Sequence, residues 1–369
     1  MDQNPPSSSN RCDIVTVQPV SIIDHIIKVP DMLSMKELIH SSDDVGGSRP
    51  VSAQELKTIL SKAASYESRP GGSASNVLRT LASFVGRGVG RVKGKIVGAM
   101  GADEWGALFE QSMKNKGVDT SCLYEKEGNT GCCCVVTCNE MRTMRTMFEN
   151  AAKLTPENLT IEHIRGARYV FVSLYCFYQQ GLVEKIVELG QAAGCHIVCD
   201  LASWDIVEKF GDRLLNILEK SPVEICFCNE DEAKKVAMIG QECVNPTIEK
   251  GAQCLLDHGA SKVIVTQGKD GSSLFYKDGD AVVRFHQEAY KVESIEDVTG
   301  AGDAFSAGVL WGLLQGFELT TALRLGSLSG SAVIQCMGAD ISPEKWAWFY
   351  DTLQLDASVV PRNTSDQII

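Results

Sequence analysis

A short glycine-rich segment near the C-terminus combines residues that can bind and transfer an anionic group. It reads DVTGAGDAF over 297–305 and continues into the apolar run AFSAGVLWGLL, which predicts a buried helix. A glycine turn at a helix N-terminus presents unpaired N–H groups, and the helix dipole favours negative charge there. Asp303 falls in the first turn, where an ionised carboxylate can accept a proton from a hydroxyl. The segment therefore indicates phosphoryl transfer, which needs mainly positioning and charge stabilisation.

The same residues also fit a structural role, in which Asp303 caps the helix after a glycine turn. Other phosphate-binding motifs are incomplete. A Walker A motif needs Ser or Thr after its Gly-Lys pair, whereas Gly94-Lys95 is followed by Ile96. The alternating glycines at 86–90 do not extend to a GxGxxG. These departures exclude a P-loop NTPase and disfavour a dinucleotide-dependent dehydrogenase.

Composition limits the partners of the chain. The 369 residues include 47 Asp and Glu against 35 Lys and Arg, a net charge of −12, so a domain-wide basic surface for nucleic acid is absent. No apolar run approaches 18 residues, which argues against a membrane-spanning helix. The 14 cysteines include no Cys-x-x-Cys pair, and the six histidines form no HExxH pattern. Because many cysteines lie in strand-like runs and residues 1–11 resemble no signal peptide, we expect buried, reduced thiols in the cytoplasm.

Strand-like and helix-like segments alternate along most of the chain, which predicts a mainly parallel sheet with helices on both faces. The predicted strands are 12–17, 22–29, 96–100, 168–174, 196–200, 223–228 and 262–266. The predicted helices are 54–64, 74–85, 104–116, 180–193, 204–219, 230–238, 247–257, 303–315, 320–335 and 343–353. Hairpins are predicted at 131–148 and 272–285, and a loop or partial lid at 30–51.

This order favours one compact α/β domain with a small strand-built appendage. We expect a disordered tail at 1–11, a single domain over 12–355 and a C-terminal tail at 356–369. A hinged lid from about 22–51 and 131–148 is expected to close over a small molecule and exclude water. A monomer and a homodimer both stay open, since an exposed lid strand edge can pair with a second copy.

Five motifs, in order, resemble those of the ribokinase-like, or PfkB, family of carbohydrate and nucleoside kinases. DVTGAGDAFSAG resembles the C-terminal signature of the family, and GGSASN over 71–76 resembles its N-terminal signature. Between them lie GADEWG over 101–106, NEDE over 229–232 and TQGKDG over 266–271. The resemblance implies a ribokinase-like three-layer α/β/α fold with a small β-strand lid. It also implies a kinase that uses ATP as phosphoryl donor, with Mg²⁺.

The resemblance further implies roles for individual residues. Asp303 would be the base that deprotonates the acceptor hydroxyl, and no residue is assigned as a direct metal ligand. The anion hole would be formed by the backbone of Gly300, Ala301 and Gly302. Asn229 and Glu232 would organise Mg²⁺, through water, and the ATP phosphates. The nucleotide site would be lined by Thr266, Gly268 and Gly271. The acceptor would be contacted by Asp24, Gly71, Gly72, Asn76 and Arg142.

Several of these residues also fit simpler roles. Asn229 can be a strand-to-helix cap, and Asp24 can be a surface strand residue. Arg142 can be a solvated hairpin charge, and Arg145 competes with it for the same function. Asp200, at the end of a predicted strand, either helps to hold metal or is a turn residue.

The motifs leave the acceptor open. Ser73 after the glycine pair, and the long span between Asp24 and Gly71, resemble the adenosine-kinase branch, which favours the primary hydroxyl of a nucleoside. A free-sugar or polyol kinase is the first alternative, and a catalytically silent binding or scaffold protein is the second. Pro19 departs from the family pattern, because it removes a backbone donor and stiffens the chain ahead of Asp24.

Overall fold

The structure, a computed structural model, describes residues 12–39, 48–84, 91–138, 141–240 and 243–355. The expected tails at 1–11 and 356–369 lie outside the described residues, as do residues 40–47 of the expected lid, the glycine-rich segment 85–90 and the hairpin turn at Asn139-Glu140.

The strands of the described residues form two sheets. In chain order they are β1 (Ile14–Gln18), β2 (Ile22–Lys28), β3 (Ser48–Pro50), β4 (Glu67–Gly71), β5 (Gly94–Gly101), β6 (Asp119–Lys126), β7 (Gly131–Cys138), β8 (Met141–Met147), β9 (Tyr169–Ser173), β10 (His196–Asp200), β11 (Val223–Asn229), β12 (Ala260–Thr266), β13 (Ser272–Asp278) and β14 (Ala281–Gln287). Within the described residues, the larger sheet has nine strands in the order β14-β13-β12-β11-β10-β9-β1-β5-β6. All its neighbours pair in parallel except β12 with β13 and β13 with β14.

Helices cover both faces of the larger sheet. In chain order the α-helices are α1 (Met32–Ile39), α2 (Ala53–Lys62), α3 (Ser73–Ser83), α4 (Glu104–Asn115), α5 (Leu182–Ala192), α6 (Trp204–Lys220), α7 (Glu230–Val236), α8 (Ile248–Asp257), α9 (Ala301–Leu314), α10 (Leu319–Val333) and α11 (Pro343–Leu355). Alternate residues of a strand point to opposite faces. Accordingly, Val15 of β1 packs in the core with α5, α6 and α8, and Ile14 packs in the core with α3, α9 and α10. The predicted three-layer α/β/α arrangement is confirmed.

The smaller sheet has the order β3-β8-β7-β2-β4. β2 runs parallel to β7 and antiparallel to β4, and β7 and β8 form the predicted hairpin. One face of this sheet is covered by α1 and α2, whose apolar residues pack on Ile27, Cys134 and Val136. The other face carries Ile26 and Cys133, and it contacts the loop that contains Met337. The predicted small β-strand unit is therefore a sheet with one face covered by α1 and α2 and the other face toward the loop that contains Met337.

The expectation of a loop over 30–51 is wrong in part, because α1 and β3 lie within that range. Asp31 accepts a hydrogen bond from the Ser34 N–H (2.8 Å), and Met35, Leu38 and Ile39 form one buried stripe. β4 and β6 were also missed by the sequence analysis. β4 is charged and glycine- and proline-containing, so its strand conformation depends on pairing with β2 rather than on propensity.

All fourteen cysteines lie within the described residues, and all have free thiols. Nine of them are buried, including Cys199 and Cys226, which are register partners on β10 and β11. Seven of the nine lie in β7, β10 and β11, where they fill space as small apolar side chains. In the part of the chain that the structure describes, no helix has both the length and the apolar composition needed to cross a bilayer.

Candidate active site

The C-terminal glycine turn, defined as residues 300–302, begins α9. Gly300 has a φ of 75°, a left-handed conformation that favours glycine, and its carbonyl accepts the first helical hydrogen bond from Ala304 (2.8 Å). A Cβ at Gly300 would lie 2.5 Å from the Cβ of Ala339. A Cβ at Gly302, in contrast, would meet no described atom within 4 Å. The helix N-terminus is therefore held tightly on the Gly300 side and faces open space at Gly302.

Asp303 does not cap this helix, because the cap position is Gly300. Its Oδ2 instead accepts a hydrogen bond of 2.8 Å from the Nδ2 of Asn76, which lies on α3. Burial raises the pKa of Asp303, and the hydrogen bond from Asn76 and the charge of Arg142 oppose that rise. The structure thus brings together one residue from each of the two glycine signatures, although they are 227 positions apart.

Asp24 lies beside the N-terminal glycine pair, Gly71-Gly72. A Cβ at Gly71 would lie 2.2 Å from the Oδ2 of Asp24, so the carboxylate occupies the space that a side chain at Gly71 would fill. Burial raises the pKa of Asp24 to about 7, against the opposing charges of Arg79 and Arg142 and with a further increase from Asp303. Asp24 is therefore part of the same electrostatic cluster as Asp303 and not a solvated strand residue.

Gly72 has a φ of 91° and begins α3. A Cβ at this position would lie 2.1 Å from the Nε2 of Gln18, the last residue of β1. Gln18 is buried and donates to the Val20 carbonyl (2.9 Å). Pro19 lies in the crossing between β1 and β2, so it restricts this crossing and not a strand ahead of Asp24. Its carbonyl accepts from the Leu154 N–H (2.8 Å).

Arg142 and Arg145 point to opposite faces of β8. The Nη1 of Arg142 donates to the Oγ1 of Thr299 (3.2 Å), directly ahead of the C-terminal glycine turn. Arg145 is fully buried and donates to Thr143 Oγ1 (3.0 Å) and to the Met144 carbonyl (2.9 Å). Of the two competing arginines, Arg142 is the one that lies at the candidate site.

Asn229 and Glu232 form a reciprocal capping box at the start of α7. Asn229 Oδ1 accepts from the Glu232 N–H (2.9 Å), and the carboxylate of Glu232 accepts from the Asn229 N–H (2.9 Å) and Nδ2 (2.7 Å). Burial raises the pKa of Glu232 to about 7, although the backbone hydrogen bond from Asn229 opposes this. Asn229 therefore caps α7, and Glu232 is a buried carboxyl in the first turn of that helix.

Asp200 ends β10, next to β11, and its Oδ1 accepts from the Ala202 N–H (2.6 Å). Burial raises the pKa of Asp200 well above its ordinary value, and the carboxylates of Glu232 and Asp303 raise it further. Asp200 thus connects the electrostatics of the capping box with those of the C-terminal glycine turn. The described residues contain no group of three or more His, Cys, Asp or Glu side chains arranged to hold a metal ion.

The motif TQGKDG forms the turn between β12 and β13. Thr266 ends β12 as the register partner of Asn229, so both residues lie at the same edge of the sheet. Gly268 has a φ of 57° and a Cβ there would meet no described atom within 4 Å, whereas a Cβ at Gly271 would lie 2.0 Å from the Gln287 carbonyl. Gly271 is therefore needed for the turn itself, and Gly268 leaves space beside it.

Two aspartates hold the loops of the site in place, and neither was assigned a role from the sequence. Asp297 is buried and accepts from the Thr299 N–H (2.9 Å) and hydroxyl (2.7 Å) and from the Gly338 N–H (2.9 Å). Asp103 caps α4 and accepts from Gly106 N–H (2.8 Å) and from Thr130 N–H (2.8 Å). The local pattern Asp-x-Thr ahead of a glycine turn could have indicated the first role, because Asp side chains often accept from the N–H two residues on.

Comparison with known proteins identifies the family of this chain. The sequence pattern of the pfkB family carbohydrate kinases matches residues 48–346. A 5-dehydro-2-deoxygluconokinase of Bacillus licheniformis is 25% identical over 296 residues, covering 77% of this chain and 86% of its own. An adenosine kinase of Saccharomyces cerevisiae is 26% identical over 295 residues, covering 74% of this chain and 80% of its own.

Solved structures share the fold at low sequence identity. The adenosine kinase of Sinorhizobium meliloti has a TM-score of 0.78 at 20% identity and covers 92% of this chain and 99% of its own. A chain from E. coli in complex with ATP and Mg²⁺ has a TM-score of 0.70 at 19% identity, with coverage of 92% and 99%. The family pattern spans most of the chain and includes both glycine signatures, so this protein belongs to the pfkB family of carbohydrate kinases.

Proposed function

We propose that this kinase transfers the γ-phosphoryl group of ATP to a primary hydroxyl, with Asp303 as the base and the C-terminal glycine turn as the anion hole. In this proposal residues 12–355 form one kinase domain, and the smaller sheet is its lid. The observation that carries the proposal is the placement of Asp303 at a helix N-terminus that is open at Gly302, with the Asn76 amide bonded to the carboxylate.

Each residue at this turn has a task that follows from its position. The Ala301 N–H donates to the Val298 carbonyl (3.3 Å), whereas Gly302 borders open space. The N–H groups of Gly302 and Asp303 are therefore the ones that would stabilise negative charge on a moving phosphoryl group. Arg142 of β8, which contacts Thr299 beside the turn, supplies a positive charge from the smaller sheet. Asn76 holds the carboxylate of Asp303 in one orientation. A proton leaving the acceptor hydroxyl would pass to Asp303.

Mg²⁺ fits the carboxyl groups at the end of β10 and in the first turn of α7. Asp200 and Glu232 are oxygen donors of the kind that Mg²⁺ prefers, and both carboxyls are buried with raised pKa values, so a cation nearby would stabilise their charged forms. When bound with ATP, the metal would neutralise phosphate charge. Asn229 would orient Glu232, and Thr266, Gly268 and Gly271 would border the nucleotide at the adjacent strand end.

The inner face of the smaller sheet would bind the acceptor. Asp24 supplies a hydrogen-bond acceptor for a sugar hydroxyl, next to Gly71 and Gly72. Around it the face is apolar, and Phe148, whose side chain is exposed, lies against Gly131 at the far end from Arg142. The apolar residues of this face are Ile22, Ile26, Cys133, Val135 and Met144, and Met337 of the following loop packs against them. An apolar face with an available aromatic ring suits a planar base, which supports a nucleoside of the adenosine type.

A free-sugar acceptor is the second candidate. Several curated relatives are 5-dehydro-2-deoxygluconokinases, whereas adenosine kinase is one of the others. The experiment is a screen of ADP formation with Mg²⁺ and each of adenosine, inosine, guanosine, cytidine, ribose, fructose and 5-dehydro-2-deoxygluconate. Stimulation by a nucleoside supports the proposal, and stimulation only by a free sugar contradicts the nucleoside assignment. No stimulation by any acceptor, with ATP binding intact, would favour a catalytically silent family member.

A further inference from the structure

Arg79 is a buried cation that the proposed reaction does not use directly. It lies one turn after Asn76 on α3, and it is 1% exposed. Its Nη1 donates to the Pro70 carbonyl (2.6 Å), and its Nε and Nη2 donate to the two carboxylate oxygens of Asp340 (3.3 and 3.1 Å). A guanidinium is costly to bury unless it is paired and hydrogen-bonded, and here both conditions are met. Because its side chain is enclosed, Arg79 does not contact the acceptor.

Asp340 belongs to a loop, residues 335–340, that packs on the C-terminal glycine turn. The Gly338 N–H donates to Asp297, which in turn holds Thr299 in place. Ala339 lies so close to Gly300 that a Cβ there would come within 2.5 Å. Through Asp340, Arg79 therefore connects this loop, and with it the glycine turn, to the other half of the site.

The Pro70 carbonyl connects Arg79 to the N-terminal glycine pair. Pro70 and Gly71 end β4, directly ahead of Gly72 and α3. Arg79 thus bonds both the acceptor side of the site and, 261 positions along the sequence, Asp340 of the loop behind the phosphoryl side. The planar fork of an arginine is suited to holding two such groups at a fixed spacing.

Arg79 also lies close to the carboxyl groups of the site. The charges of Arg79 and Arg142 oppose the burial-driven rise in the pKa values of Asp24 and Asp303, whereas Asp303 and Asp297 raise the pKa of Asp24 further. Arg142 is on the smaller sheet, whereas Arg79 is inside α3. The positive charge of Arg79 therefore comes from α3 and not from the smaller sheet, and it offsets the negative charge of these carboxylates.

We propose that Arg79 is a positioning residue, which through Asp340 and the Pro70 carbonyl sets the spacing between the N-terminal glycine pair and the C-terminal glycine turn. The alternative is a salt bridge that only stabilises the fold. The expected change in kcat rests on the proposed function, whereas the expected change in amide hydrogen exchange does not.

The test compares Arg79→Met, Arg79→Lys and Asp340→Asn with the unmodified protein. Because a misplacement of about 1 Å can cost about 100-fold in rate, Arg79→Met is expected to lower kcat about 10- to 100-fold with little change in the KM for ATP. Arg79→Lys keeps the positive charge but not the planar guanidinium, so its kcat is expected to lie between those of Arg79→Met and the unmodified protein. Asp340→Asn is expected to lower kcat less, and the double variant no further than Arg79→Met alone.

Amide hydrogen exchange provides a readout that is independent of the acceptor. In Arg79→Met and Asp340→Asn, the amides of Thr299, Ala301 and Gly338 are expected to exchange faster than in the unmodified protein. Asp340 is partly exposed, with 29% of its side chain accessible, so Asp340→Asn keeps the test available if Arg79→Met does not fold.

Arg213→Met is the matched control. Arg213 makes a two-pronged ion pair with Glu184 (2.5 and 2.6 Å) between α5 and α6, outside the site. It is expected to lower stability without changing kcat or the exchange of Thr299. If Arg79→Met behaves like this control, with the melting temperature lowered but kcat and exchange unchanged, the positioning role is refuted. If the unmodified protein phosphorylates no acceptor, the proposed function fails, and the exchange result alone decides the positioning role.

Discussion

Alanine at Gly302 separates the chemistry of the C-terminal glycine turn from its folding. A Cβ at Gly302 meets no described atom within 4 Å, and the residue lies in the first turn of α9 with no left-handed φ. Ala is a better helix former than Gly, so Gly302→Ala is expected to raise the free energy of unfolding by roughly 0.5–1 kcal/mol. The new methyl group would occupy the space in front of the N–H groups. Because loss of one such donor typically costs about 10²–10³-fold, kcat is expected to fall by that factor.

The assay measures ADP formation and denaturant unfolding on the same preparations, with Gly300→Ala as the comparison. Gly300 has a φ of 75°, and a Cβ there would collide with Ala339. A left-handed non-glycine residue costs about 1–2 kcal/mol before the collision is counted. Gly300→Ala is therefore expected to lose both stability and activity. Near-normal kcat in a well-folded Gly302→Ala protein would refute the placement of the phosphoryl group at this turn.

Further predictions concern four other side chains. Glu232→Gln is expected to raise the Mg²⁺ concentration for half-maximal rate by about tenfold or more, since a group that supports a metal site typically contributes 10–100-fold to metal affinity; an unchanged Mg²⁺ titration would argue against this site. Asp24 has a pKa raised to about 7, and it must be ionised to accept fully from a hydroxyl. The kcat/KM for the acceptor should therefore fall as the pH drops through about 7. Asp24→Asn should lower kcat/KM and remove this pH dependence. Phe148→Ala is expected to raise a nucleoside KM about 5- to 150-fold, the equivalent of about 1–3 kcal/mol of base stacking, and to leave a free-sugar KM unchanged. Equal effects on both KM values would contradict the base-binding assignment. Although burial opposes it, hydrogen bonds from Thr130 and Gly106 hold the pKa of Asp103 below its ordinary value, so Asp103 stabilises the fold above pH 4. Asp103→Ala should lower the free energy of unfolding by about 1–2 kcal/mol at pH 7, with the difference shrinking as the pH falls below about 4.

The fold class and the glycine turns were predictable because their determinants are local. Alternating strand and helix patterns fix the three-layer arrangement, and a Gly-x-Gly-Asp run ahead of an apolar helix indicates the turn at 300–302 without any distant contact. The helix α1 was predictable in principle as well. Asp31 and the spacing of Met35, Leu38 and Ile39 carry a cap and an apolar stripe.

The missed elements and residues depend on distant partners. β4 becomes a strand only by pairing with β2, and its charged and proline-containing sequence has no strand pattern of its own. Arg79 looks like an ordinary helix residue until the fold brings Asp340 to it. The choice between Arg142 and Arg145 was open because the sequence does not show which face of β8 is directed toward the site. In the structure α1 and α2 cover one face of the smaller sheet, and Arg142 reaches Thr299 from the other.

The most direct test of the central claim is the rate of ADP formation by Asp303→Asn with the acceptor that gives the highest rate in the screen. ATP binding is measured in parallel to confirm an intact nucleotide site. Asn keeps the size of the side chain but cannot take the proton, so a fall in kcat of about 10²–10⁴-fold is predicted, with little change in ATP affinity. A kcat close to that of the unmodified protein would contradict the assignment of Asp303 as the base.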